Sequence, residues 1–368
     1  MRITTRLAAA AGLALTAAAL LAGPASAHSR GAVFVQTDDP AGNTIVAYDR
    51  APDGRLSQAG SYATGGLGGV LTGSVVDHLA SQGSLALDRR AGLLYAVNAG
   101  SDSVTVFGVH GDRLQRRQVV SSGGSFPVSL AVHDRVVYVL DARGGGAVQG
   151  YLRLGDHLLK VPGWHRDLGL DPTATPEFTH TPGQVAFTPD GRGLLVTTKA
   201  NTNAVDVFRV DRFGGLSVQP IVNTLPGAVP FAGAFDAGEN VVLTEAGANA
   251  VATFALPGGA LQALSQAATG QAATCWIVRA GDRFYLSNAG SGTLSGYRDA
   301  GDGALAPLGN TPTDPGTVDA AVAGRHLYVQ TGAKGIVDAF RIERDGALTA
   351  IGSVTVPGAV GGEGIAAG

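Results

Sequence analysis

The chain has 368 residues, of which 55 are glycine, only 15% are charged and 45% are hydrophobic. That is enough apolar material for a large core and excludes a disordered chain. A net charge of −3 leaves no electrostatic footprint for nucleic acid, and a single cysteine excludes both an internal disulfide framework and multi-cysteine metal sites.

The first expected element is a targeting segment. Arg2 and Arg6 precede an apolar run from Leu7 to Ala22, which ends at Pro24 and the triplet Ala25-Ser26-Ala27. A basic head, a short apolar stretch and an A-x-A site predict a secretory signal peptide over 1–27, cleaved after Ala27. The run falls short of the roughly 20 apolar residues that a membrane span needs. The mature chain then starts at His28 with 24 basic and 29 acidic residues. It is expected to form one domain, 28–368, outside the cell.

From Gly31 onward one unit recurs seven times. Each copy carries an alternating strand that ends near an aromatic residue: Tyr48, Phe107, Tyr151, Phe208, Phe254, Tyr297 and Phe340. A turn glycine and a leucine follow seven or eight residues later: Leu56, Leu114, Leu158, Leu216, Leu261, Leu305 and Leu348. A period near 43 residues, with about four short strands and no amphipathic helix, predicts a propeller blade. Seven copies predict an all-β, seven-bladed β-propeller.

The ends of the repeat predict how the ring closes. The chain opens at Gly31 with GAVFVQT, which reads as the second strand of a blade. The tail GGEGIAAG, Gly361 to Gly368, reads as the missing inner strand of that same blade. Pairing the two removes exposed strand edges.

Two spacings are long by about 14 residues, locating insertions between blades at roughly 65–82 and 164–182. Both fall on the rim where inner strands begin, and long loops on rigid scaffolds often carry function. The polar residues expected at this channel mouth are Gln82, Arg143, Glu177, His180, Gln184, Lys199, Glu245, Trp276, Asn288, Asp319 and Glu363. Asp38, Asp39, Asp141 and Lys334 complete the rim set, and Asp77-His78 lies in the first insertion. A histidine beside a carboxylate can do acid–base work near neutral pH. The chain contains no G-x-S-x-G elbow, no H-E-x-x-H and no phosphate-binding glycine–lysine loop. Cys275 has no activating neighbour in sequence and is expected to be a buried, inert thiol.

The phrases FTPDGRGLLVTT (Phe187–Thr198), NTNAVDVFRV (Asn201–Val210), LLYAVNAGSDSVTVF (Leu93–Phe107) and HLYVQTGAKGIVDAF (His326–Phe340) resemble the lactonase family of seven-bladed propellers. That family includes bacterial 6-phosphogluconolactonase and fungal carboxymuconate lactonizing enzyme. The resemblance runs from about Gly31 to Gly368 and looks nearest to a secreted actinobacterial branch. It implies a hydrolase or cyclase acting on a lactone ring; no cofactor and no metal ligands are expected from the residues.

The family's catalytic groups do not carry over residue by residue. Its Gly-Pro-Arg-His stretch corresponds here to Thr181-Pro182-Gly183-Gln184, its Glu falls at or beside Lys199, and its inner-strand His has no counterpart within Phe126–Val132. In an enzyme reading, Lys199 and Arg143 hold carboxylate or oxyanion charge and His180 shuttles the proton. The other eight mouth residues then bind a small carboxylated or sugar-derived lactone. In the alternative, the mouth captures a small ligand or a protein partner without turnover. Either way the protein is expected to be a monomer, with no nucleic-acid partner and no membrane partner after signal cleavage.

Overall fold

The structure, a computed structural model, describes Met1 and residues 31–368; the rest of the expected signal peptide lies outside the described residues. Within 31–368 the chain forms seven four-stranded antiparallel sheets, and in six of them the order in space follows the order in sequence. Blades 2 to 7 span 85–121, 127–167, 185–224, 230–268, 274–312 and 317–355. Blade 1 takes its three outer strands from 31–63 and its inner strand, Ile365–Ala367, from the C-terminus.

That closure makes the predicted pairing, with Val35 opposite Ile365 and Val33 opposite Ala367. The Arg50 guanidinium donates to the Gly368 carbonyl at 3.2 Å, and Arg89 from blade 2 donates to the Ala367 carbonyl. The last strand is therefore fixed both to its own blade and to blade 2.

The repeated aromatic residues sit on the third strand of every blade, and all seven are buried. In five blades the pairing with the outer strand slips by one residue next to that aromatic, as between Ala47 and Tyr48 and between Ala339 and Phe340, and in blade 3 it slips further, between Gln149 and Tyr151. A bulge bends the strand and increases its twist, which lets the outer strand start on the repeated leucine side of the turn. Blade 4 lacks the slip, and its outer strand shrinks to Ile221–Thr224. Leu216 is held there by a lone bridge to Val210.

Packing follows the alternation. Side chains on the two faces of a blade meet those of the neighbouring blades, so the apolar core is divided into clusters between sheets. Each fully buried Val, Leu, Ile or Phe there contributes about 1.5–3 kcal/mol of transfer free energy.

Two details differ from the sequence expectation. The outer strand of blade 3 is long, His157–Asp167, and takes in Trp164, so the second insertion begins at 168. Single helical turns occur at Glu177–His180 and Lys199–Thr202.

Candidate functional site: the hub and its plug

The rim where inner strands begin is called the upper rim. The first insertion leaves blade 1 on this rim and does not stay at the surface. Leu71 and Leu79 are fully buried and join the apolar cluster that also holds Phe126 and Val128. Between them the chain turns on itself, with Leu71 N–H donating to His78 O at 2.8 Å. The Asp77 carboxylate accepts from the Leu79 and Ser81 N–H groups at 2.8 and 3.0 Å, which fixes the bend back into the hub.

Residues 76–84 then plug the hub, fastened from several blades. From blade 4, Lys199 Nζ donates to the Ala80 carbonyl at 2.6 Å. From blade 6, Trp276 Nε1 donates to the Ser81 carbonyl at 2.6 Å. The Gln82 amide crosses the ring to make two bonds with the Ile277 backbone, at 2.8 and 3.0 Å. From blade 3, Ser129 Oγ donates to the Gln82 carbonyl at 2.6 Å. From the closing segment, Glu363 accepts from Gly83 N–H at 3.1 Å, and Gly361 O accepts from His78 N–H at 2.8 Å. A Cβ on Gly332 of blade 7 would lie 1.7 Å from the Val76 carbonyl, so only glycine allows that approach.

The second insertion covers the plug. Arg143 grips Glu177 with two bonds, Nε to Oε1 at 2.6 Å and Nη2 to Oε2 at 3.2 Å, and its guanidinium stacks 4.2 Å from the Phe126 ring centre. Glu177 also accepts from Thr72 N–H of the first insertion at 2.7 Å. The Arg143 guanidinium holds the Glu177 carboxyl down at about 2. His180, at the end of the helical turn, has Nδ1 at 2.9 Å from both Pro176 O and Thr179 Oγ1.

The three residues cast as catalytic are thus neighbours through this one turn, and each is engaged with protein. Lys199 Nζ makes two further bonds there, to Phe178 O at 2.6 Å and Thr181 Oγ1 at 3.1 Å. With three acceptors around it and only 1% exposed, its amine faces carbonyls and a hydroxyl.

Of the eight binding candidates, Gln82, Trp276, Asp319 and Glu363 converge on the hub, and Glu177 lies above it. Gln184 accepts from Gly233 N–H at 2.7 Å, tying blade 4 to blade 5. Asn288 staples its own hairpin through Thr293 and Ser295 and accepts from Thr274. Glu245 lies apart, in a groove between blades 4 and 5.

Beneath the plug sits a group of buried acids that the sequence scattered over 325 positions. Asp38 accepts from Glu363 N–H at 2.7 Å, and Asp319 shares a hydrogen bond with the Glu363 side chain. Burial pushes Asp38 up to about 8. Burial likewise raises Glu363 and Asp319, and Asp319, Asp77 and Asp38 raise Glu363 further by repulsion. Desolvation raises Asp77 and lowers Lys199, while each charge partly restores the other. Four carboxyls share the hub with one amine, so the interior favours protonated acids. Cys275 lies near Lys199, and burial pushes its thiol up to about 12, the behaviour of an inert thiol.

The class of protein is defined by these features: a seven-bladed β-propeller closed through its C-terminal strand, with a hub filled by its own chain. The family model for the seven-bladed β-propeller lactonases matches residues 68–361, and the chain belongs to that family. No curated protein matches it in sequence. Among solved structures it is similar to a Bacteroides fragilis protein described as a candidate 6-phosphogluconolactonase, with 17% identity, a TM-score of 0.73, and coverage of 94% of this chain and 100% of that one. It is similar also to the periplasmic gluconolactonase of Pseudomonas aeruginosa, with 18% identity, a TM-score of 0.72, and coverage of 91% and 98%. A Lactobacillus plantarum protein gives 19% identity, a TM-score of 0.73, and coverage of 91% and 98%. At these identities the likeness is one of fold.

Proposed function

We propose that this chain is a secreted, monomeric lactonase-family propeller that binds a small ligand on its upper rim without turning it over. One observation carries the reading: Lys199, which stands where the family's acid–base Glu would fall, spends all three donors on Ala80, Phe178 and Thr181. An ammonium so engaged has no free donor for an oxyanion, and at 1% exposure the residue offers a substrate almost no surface. Catalysis by differential stabilisation needs such groups aimed at the reacting atoms.

A second reading, opening of a small carboxylated or sugar-derived lactone, is favoured by the family match over 68–361. The two separate in one experiment. The mature protein is incubated with a panel of γ- and δ-lactones at neutral pH, and acid release is followed beside a thermal-shift titration. The binding reading expects acid release equal to buffer, with a rise in Tm for whichever compound binds the native state. Turnover above buffer that is lost in Lys199→Met and His180→Ala overturns it in favour of the enzyme.

A further inference from the structure

Glu245 ends the second strand of blade 5, Val241–Glu245, and its residue is 4% exposed. Gln266 from the outer strand of the same blade donates to Oε2. Among the described residues no Lys, Arg or His forms an ion pair with Glu245. It lines a groove of about 500 Å³ that opens on the upper rim between blades 4 and 5. The walls are apolar: Leu225 and Ala228 from the connection between the blades, and Ala252, Phe254 and Leu264 from blade 5. None of the lining residues is basic.

Burial of a carboxylate without a counter-charge is costly, because one amide N–H replaces only part of its hydration. The deficit is not repaired by a cation from within the chain, and unlike the hub acids near Lys199, Glu245 faces an open groove. A volume of this size lies within the range of small-molecule sites, which combine apolar walls with a few placed polar groups. The missing component is a cation with a hydrocarbon body.

We infer that the groove around Glu245 is a binding site for a primary organic ammonium carrying a short alkyl or aryl chain. The ammonium occupies the open side of the carboxylate and donates a charge-assisted hydrogen bond to it. The chain lies along Phe254, Leu225 and Leu264 and gains affinity from the apolar area it covers. This rests on the binding reading above, and names the chemical class that the upper rim selects.

The test is titration of the mature protein with hexylammonium, phenethylammonium, hexanol and hexanoate by calorimetry, with chemical-shift mapping of the blade 5 residues. Saturable binding is expected for both ammonium ions at neutral pH, with shifts confined to the groove and with hexanol and hexanoate at least tenfold weaker. Glu245→Gln keeps the shape and should weaken hexylammonium at least tenfold, with no effect on hexanol. If that variant fails to fold, Ala263→Trp covers the groove from an exposed strand position and should abolish binding while leaving Tm unchanged. Equal affinity for hexylammonium and hexanol, unaltered binding in either variant, or no binding overturns the inference. Lactone turnover with ammonium binding intact would sink the non-catalytic reading and leave this site standing.

Discussion

The two insertions have similar lengths and lie on the same rim, yet they belong to different physical regimes. The first drives Leu71 and Leu79 into the core and spends its backbone carbonyls on donors from blades 3, 4 and 6. The second lies over it, with no buried residue in its helical turn, and is held at its edges by the partly exposed Arg143–Glu177 pair and by Lys199 and Asn201 donating to Phe178, Thr181, Asp171 and His180. Length and polarity of a loop therefore do not say whether it is a mobile surface feature or part of the interior. Apolar residues at its turn, and donors waiting inside the ring, decide that.

The contrast can be broken most severely at the closure on which both insertions depend. Removal of residues 361–368 takes away Glu363, the Gly361 carbonyl and the inner strand of blade 1. A loss of cooperative unfolding, or a Tm lower by well over 10 °C, is expected by calorimetry. Next comes the plug itself. Leu79→Ala should cost about 2–5 kcal/mol, read by denaturant unfolding, because the cavity it leaves is walled by rigid strands. Lys199→Ala should cost about 3 kcal/mol or more, since it strands buried carbonyls that now share one ammonium. A loss below about 1 kcal/mol for either would place the first insertion in the surface regime.

The pH dependence sharpens the same point. The buried acids Asp38, Asp319 and Glu363 have folded values above their unfolded ones, so between about pH 4 and pH 8 the native state binds more protons than the unfolded chain. Stability from these groups is present in full below their unfolded values and is lost as pH rises toward 8. Lys199, lowered to about 7 by desolvation, works in the opposite direction from about pH 7 up to its unfolded value of 10.5, and offsets part of the loss near pH 8. Tm should therefore be higher at pH 5.5 than at pH 8, and Asp38→Asn should flatten the slope. The smallest effect belongs to the second insertion: Arg143→Ala should cost less than about 1 kcal/mol and lose most of that cost in high salt.

Much of the fold was legible because a propeller repeats one local pattern. The seven aromatics, the seven leucines and the unmatched strands at the two ends each report geometry within one blade or one closure. The candidate site was legible only as a set of residue types. Lys199, Trp276, Gln82 and Glu363 were singled out as rim residues, but their partners lie up to 325 positions away, as for Asp38 and Glu363. The signal that could have exposed the plug was the pair Leu71 and Leu79 within a glycine-rich insertion, apolar residues with no strand of their own to sit on.

The amino-acid sequence alone determined the number of blades, the strand order and the strand that closes the ring, because these follow from hydrophobic period and turn glycines acting over a few residues. Only the tertiary structure decided that the hub is filled, that the lysine inside it is bound by three acceptors, and that the Glu245 carboxylate faces a groove with no cation in it. Those outcomes depend on which side chains meet across the ring and how little water reaches them, and neither distance nor solvation is written in local pattern.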